Sequence, residues 1–324
     1  MPGPTHHDHG TTLGPLVLAA VFVAATAVTA LDYGLDPGNS TLLARRDIHR
    51  GILDHTTKAP DRYRVLAPAI IEVPTRVLSR FMPYEAAHDR ASAAFYILAM
   101  AALLWTQFAY LRNWFTDEQA LVGVLLVACT LRITIRQHDY APSSYLEPSF
   151  FALGLLAILH GRRGLFALLV AVATLNRETA IFLVAIFAVT SPLTRDTIKT
   201  GLGYLAIWLV IFFGIRYLAG DAERYWSLER VFRTNMSQLS LAAFNIAVLL
   251  GIFWVFAALG FTRAPAFVRR SALVIPAYLG VVALWGIWWE VRLLMPLYPL
   301  LLPLALSYMF VPNKGPNVPG LPTA

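Results

Sequence analysis

Apolar runs of near-spanning length recur along the chain, at 13–31, 92–111, 119–135, 147–160, 164–175, 179–190, 200–218, 239–261, 271–289 and 293–311. A bilayer core about 30 Å thick takes roughly 20 helical residues at about 1.5 Å each. The pattern therefore predicts an all-α polytopic membrane protein of about nine or ten transmembrane or partly spanning helices. Two runs break the rule. Residues 164–175 and 179–190 are each about 12 residues, or ~18 Å, too short to cross upright. Between them, in LNRETAIF (175–182), stand Asn176, Arg177 and Glu178. A charge at the bilayer centre costs at least ~2.5–3.5 kcal/mol. Either 164–190 is one helix with these polar residues at mid-depth, or two short helices meet at Asn-Arg-Glu on one membrane face.

The charges favour the second reading. With both short helices crossing, the side of the N-terminus receives only Asp8, Asp117, Glu118 and Asp196, and the opposite side receives the other 15 of 19 carboxylates. The polar motifs then gather on one side, as a site requires. A single long helix would swap the later loops and part Glu290 and Arg292 from the first loop. Lys and Arg leave absolute orientation open: nine lie on the N-terminal side, and 17 on the other, nine of those in the long loop 32–91. Without that loop the sides hold nine and eight, and the positive-inside rule counts short loops.

The chain divides into an N-terminal tail (1–12), one membrane domain (13–311) and a C-terminal tail (312–324), both tails expected to be disordered. In the first loop, RVLAPAIIEVPTRVLSRF (64–81) sets Leu66, Ile70, Val73, Val77 and Phe81 at helical spacing, with Glu72, Arg76 and Arg80 on another face. That is an amphipathic helix suited to the membrane interface, with Pro68 in its first turn and Pro74 expected to kink it. Residues 13–31 lack a basic flank and read as a first transmembrane helix rather than a cleaved signal.

Composition narrows the function. The chain is 57% hydrophobic and only 14% charged, whereas a soluble domain is nearer a quarter charged. The net charge of +7 is scattered through loops, with no basic stripe, zinc spacing or RNA-binding signature, so no nucleic-acid partner is expected. The single Cys129 excludes an intrachain disulfide. His49 and His55 lack a third ligand in register, HHDH (6–9) reads as tail, and no zinc site is expected. P-loop, Rossmann and nucleophile-elbow motifs are absent.

Four stretches on the carboxylate-rich side carry candidate chemistry: RRDIHRGILDH (45–55) with PDRYRVLAP (60–68), RQHDYAPSSYLEP (136–148), NRE (176–178) and WWEVRLLMPLYP (288–299). Each joins carboxylates to Arg or His, often beside Tyr or Trp. A carboxylate can deprotonate or orient an acceptor hydroxyl. Arginine offers a planar fork of donors to phosphate and stabilises a phosphate leaving group. Tyr and Trp suit a lipid head or a sugar ring at the membrane face. Together these residues suggest transfer from a lipid-phosphate donor at the membrane surface. Plainer roles fit the same residues. NRE could be a solvated turn, Glu147-Pro148 a helix start, and the arginines of 45–64 a patch for anionic lipid heads. Glu290 and Arg292, two apart on a helix, are not expected to face each other.

This arrangement resembles the GT-C fold of integral membrane glycosyltransferases, which include protein mannosyltransferases, lipid A aminoarabinose transferases and dolichol-dependent transferases. RYRVLAP, LNRETAIF and WWEVRLLMPLYPLLLP are similar to stretches in bacterial membrane proteins of this type. The resemblance implies a polyprenyl-phosphate-sugar donor, a glycan or lipid acceptor, and surrounding membrane lipids as partners. It also implies a multi-pass protein of the bacterial inner membrane with an extracytoplasmic site. Such enzymes place a catalytic carboxylate in the first loop. Asp47 matches that position first and Asp32 second, although Ile48 stands where the family often has an adjacent acid. Arg64, Arg177 and Arg292 would bind the donor phosphate. His49, Arg62, Tyr63, His138, Asp139, Glu147, Asn176, Glu178 and Glu290 would line the pocket. Some members use a divalent metal, Mg or Mn, and others none. The alternatives are a transporter or flippase of a lipid-linked sugar, since broken helices also mark transporters, and a non-catalytic membrane protein. No inverted repeat is found in the sequence.

Overall fold

The computed structural model describes residues 15–34, 39–135 and 142–313. Among them the chain is helical, with one isolated bridge between Ala59 and Arg224. In order, the helices are α1 (Pro15–Gly34), α2 (Asn39–Leu53), α3 (Leu66–Leu78), α4 (Tyr84–Leu111), α5 (Asp117–Ile135), α6 (Ser143–Leu159), α7 (Arg163–Asn176), α8 (Ile181–Thr190) and α9 (Arg195–Ala219). They continue with α10 (Leu228–Ser237), α11 (Leu239–Gly260), α12 (Ala266–Ser271), α13 (Ile275–Trp285) and α14 (Tyr298–Met309). Short 3-10 turns at Asp61–Tyr63, Glu178–Ala180, Ala272–Val274 and Val291–Leu297 link them. The tails 1–12 and 314–324, and with them HHDH, lie outside the described residues, as do His138 and Asp139.

Among the described residues, four segments are long and apolar enough to cross a membrane: Tyr84–Leu111, Arg195–Ala219, Ala266–Trp285 and Val291–Met309. α11 makes a fifth if its halves, which meet at 62°, count as one span. Shorter apolar helices run over Leu18–Ala27, Ser143–Leu159, Arg163–Asn176 and Glu178–Thr190. Large apolar side chains on α9, α11 and α13, among them Leu202, Val210, Phe213, Phe244, Ile252 and Leu284, face outward. A water-facing surface rarely carries so broad an apolar patch, so the belt suits lipid. The core is the reverse: α14 is buried over Tyr298–Ser307 and packs on α4, α5, α6 and α11. Where α11 meets α14, a side chain on Gly260 would strike the Leu304 carbonyl and the Tyr308 nitrogen. Two backbones in contact leave room only for glycine.

Local chemistry sets the turns that flank α7 and α8. α6 closes in a Schellman motif: Gly161 takes φ +66°, Arg162 N donates to Ala157 O at 2.8 Å, and Gly161 N donates to Ile158 O at 3.0 Å. α9 opens in a capping box in which the Thr194 and Thr197 side chains each accept from the other's backbone N–H, at 3.2 and 3.0 Å. Between these turns the stretch 164–190 folds as two helices. The chain breaks at Arg177, whose backbone is extended (φ −157°, ψ 146°). Phe166 at the start of α7 and Phe187 at the end of α8 lie ring to ring at 5.7 Å, and both touch Tyr204 of α9. α7 and α8 therefore rise from a common base to a tip at Asn176–Glu178.

The first loop is more structured than the hydropathy pattern suggests. α4 begins at Tyr84 rather than near 92, because its first turns are polar (Glu85, His88, Asp89) and mask the helix in an apolar scan. α3 forms over the expected amphipathic stretch: Ile70, Val73, Val77 and, just beyond it, Phe81 are exposed, while Ala67, Ile71 and Thr75 are buried. The helix runs through Pro74 to Leu78 without interruption.

Candidate functional site

At the tip of the α7–α8 hairpin, three charged pairs meet the first loop. Arg177 is 4% exposed and donates to Glu147 of α6, itself 3% exposed, at 2.5 Å. Glu147 also accepts from the Thr179 hydroxyl. Asn176 donates to the Ser143 carbonyl at 2.8 Å, and Trp208 of α9 donates to the Glu178 carbonyl at 3.1 Å. The hairpin tip is thus bolted to α6 and α9 by side chains rather than by apolar contact alone.

Glu178 reaches the other way. Arg64 approaches it with both arms of its fork, Nη2 to Oε1 at 2.7 Å and Nε to Oε2 at 3.4 Å, and turns its third nitrogen to Asp61 at 3.3 Å. Asp61 opens the 3-10 turn Asp61–Tyr63, three residues before Arg64, so the turn itself brings the two together. Arg64, Arg292 and Arg177 all act on the Asp61 carboxylate, with Glu178 opposing them. Burial pushes the Asp61 carboxyl above its ordinary range, and the three guanidiniums pull against that rise. Arg292 is held by Glu290 at 2.8 Å and 3.2 Å. This corrects the expectation that the two do not face each other. Glu290 precedes the 3-10 turn with non-helical backbone (φ −81°, ψ 77°), so helical spacing does not apply to it.

The first loop is clasped over this cluster by the segment after α9. Ala59 and the 223–225 stretch exchange backbone hydrogen bonds at 2.8 and 3.2 Å. Arg62 donates to the Thr57 and Asp221 carbonyls at 2.8 and 2.5 Å, and the Tyr63 hydroxyl to Gly220 O at 3.3 Å. Arg216, near the end of α9, stacks over Tyr63 with its guanidinium carbon 4.5 Å from the ring centre.

Of the residues expected at the site, Arg64, Arg177, Glu147, Asn176, Glu178, Arg292 and Glu290 come together, with Arg62 and Tyr63 at the clasp. Asp47 does not join them: it sits on an exposed face of α2. α2 turns its buried face, with Arg45, His49 and Ile52, toward the protein and leaves Asp47 outside. Asp32 falls in the last turn of α1, and its side chain lies outside the described residues. His49 belongs to a separate buried group. Its Nε2 lies 3.1 Å from Glu72, which also bonds Arg76 and the Tyr84 hydroxyl, and its ring meets that of His88 at 4.5 Å. Burial lowers the His49 pKa against the pull of Glu72.

Two members of the cluster were not expected. Asp61 stands inside PDRYRVLAP, and its i,i+3 spacing to Arg64 is the signal that would have found it. Arg216 is the lone charge in the apolar run 200–218, the kind of intramembrane residue that marks a site.

Beside Glu290 runs a cavity of about 410 Å³. It lies between α11 and α13 and is lined by Ile246, Trp254, Leu279, Val282, Trp288 and Leu294, with Glu290 as the charged lining residue among those described. A resident metal does not fit the charged cluster. Arg64 spans Glu178 and Asp61, and Arg292 holds Glu290, so these carboxylates are engaged by guanidinium. Among the described residues no three His, Cys, Asp or Glu are grouped as ligands. No family model matches this chain, and neither a curated protein nor a solved structure is similar to it.

Proposed function

We propose that this protein is a membrane glycosyltransferase of the GT-C type, moving a sugar from a polyprenyl-phosphate donor to a hydroxyl acceptor at the extracytoplasmic face of a bacterial inner membrane. The observation that carries the reading is the gathering of Asp61, Arg64, Arg177 and Arg292 near an apolar cavity between α11 and α13 that Glu290 also lines. Phosphate chemistry needs guanidinium donors, and a lipid-borne phosphate needs an apolar slot next to them. Both are present, and Glu290 belongs to both.

In this reading Asp61, rather than Asp47, is the first-loop carboxylate of the reaction. It takes the proton from the acceptor hydroxyl as that oxygen attacks the anomeric carbon. The bond from that carbon to the phosphate oxygen breaks, and the polyprenyl phosphate departs with the electron pair. A single displacement of this kind inverts the anomeric centre. Arg64 and Arg292 exchange part of their pairing with Glu178, Asp61 and Glu290 for the phosphate and stabilise its growing charge. Arg177, paired with Glu147 at depth, adds positive potential and fixes the tip. Tyr63 and Trp288 flank the sugar and lipid head.

The test is turnover of radiolabelled polyprenyl-phosphate sugars in vesicles with and without the protein. Release of polyprenyl phosphate that depends on the protein and is lost in Asp61→Asn supports the proposal. Movement of intact lipid-linked sugar across the bilayer, with no cleavage, would assign transport instead.

A further inference from the structure

α10 is a short helix between two membrane helices, and its faces divide in an unusual way. At about 100° per residue, Val231 and Asn235 project to one side, and Leu228, Phe232 and Met236 project beside them, making an apolar arc of about 140°. Val231 and Asn235 are buried against the protein, whereas Leu228, Phe232 and Met236 are exposed. Glu229, Arg230, Arg233 and Ser237 occupy the remaining arc, with Arg233 bonded to Glu229 at 2.6 Å and Arg230 over the Trp226 ring at 4.4 Å. Only half of the apolar arc is thus covered by the chain.

The position of α10 names what covers the other half. α9, a candidate membrane span, ends at Ala219, and the apolar α11 begins at Leu239 directly after α10, so the helix is tethered between the ends of two apolar helices. A helix held there, with apolar residues at i, i+4 and i+8 and arginines bordering them, meets acyl chains on one side and phosphates on the other. Its inner face is fixed with unusual directness. The Asn235 side chain donates to Gly286 O at 2.9 Å and accepts from Trp288 N at 2.9 Å. One amide therefore closes both ends of the turn that delivers Trp288 to the apolar cavity.

We infer that α10 lies in the membrane interface with Leu228, Phe232 and Met236 sunk into the leaflet on the site's side, and that through Asn235 it sets the height of the Trp288 turn at the lateral mouth of the cavity. The occupant of the exposed face is the bilayer itself. The inference does not depend on the reaction proposed above, since any lipid reaching the cavity from that leaflet would pass the same turn.

Nitroxide labels placed singly at 228, 229, 232, 233, 236 and 237, in a Cys129→Ser background reconstituted in nanodiscs, test it. All six positions are exposed, so the labels leave the packing intact. The expected result is collision with oxygen but not with a nickel chelate at 228, 232 and 236, and the opposite at 229, 233 and 237. Equal nickel access at all six would place the helix in water and overturn the inference. Exclusion of both reagents at 232 and 236 would assign the face to a protein contact and overturn it equally. Asn235→Ala is expected to move a label at 288 relative to the bilayer while leaving the pattern along α10 unchanged. An unmoved label at 288 removes the coupling to the cavity.

Discussion

The Arg177–Glu147 pair offers the sharpest test of the hairpin. Glu147→Ala leaves a guanidinium that is 4% exposed without the carboxylate it holds at 2.5 Å. Water cannot take over at that depth. Removing one partner of a buried pair costs about 3–5 kcal/mol, and the Thr179 hydroxyl, which also bonds Glu147, adds about 1 kcal/mol when orphaned. Arg177→Met strands the carboxylate and is expected to cost a similar amount. The double variant Glu147→Leu/Arg177→Met removes both charges, and an apolar pair of similar volume is often as stable as the ion pair it replaces. The double variant should therefore regain at least ~2 kcal/mol of what Arg177→Met loses alone. Thermal unfolding in mild detergent measures it: each single variant is expected to melt roughly 5–10 °C below the parent, and the double variant close to it. Additive losses, or a Glu147→Ala protein as stable as the parent, would refute a hairpin tip fixed by this pair.

Three further outcomes follow from the geometry. Asp61→Asn is expected to slow donor cleavage by at least ~100-fold, in line with removal of a positioned base, while Asp47→Asn stays near the parent rate; the reverse pattern would return the role to α2. Because burial raises the Asp61 carboxyl and only its ionised form accepts a proton, cleavage should rise with pH through a value above the ordinary carboxylate pKa of 3.8. That limb should vanish in Asp61→Asn, and a limb that persists assigns the titration elsewhere. Gly260→Ala should force α11 and α14 apart, at a cost of about 1–3 kcal/mol, read as a lowered melting temperature; an unchanged one would mean that the two backbones do not touch there.

The parts of this protein legible in the sequence were those written in long periods. The apolar runs located most helices, and the count of carboxylates chose the broken form of 164–190, which the extended backbone of Arg177 bears out. The helix at α3 and its exposed apolar face were legible from apolar residues at helical spacing. What escaped depended on contacts between distant segments or on short local geometry. α10 was hidden because ten residues with three charges and an inward Asn235 carry little apolar signal. Asp47 and Asp61 are indistinguishable as first-loop acids until the packing of α2 turns one outward and the 3-10 turn before Arg64 turns the other inward. Glu290 and Arg292 pair because one of them sits just outside helical backbone, a difference of one residue that spacing rules cannot read.

The α7–α8 hairpin also bears on how the protein is made. Its helices of 14 and 10 residues measure about 21 and 15 Å at 1.5 Å per residue, so neither can be handed to the bilayer as a finished span. A translocon meeting 164–190 alone would find a stretch long enough to insert once, with Arg177 stranded midway. The carboxylate that prevents this, Glu147, emerges earlier on α6, whereas the Tyr204 and Trp208 bonds that pin the hairpin's base and tip come later on α9. The segment is therefore expected to settle its topology only once α9 is present to hold it. In a chain truncated before α9, residues 164–190 are expected to insert as one span and to leave Thr190 on the membrane side opposite to Arg163.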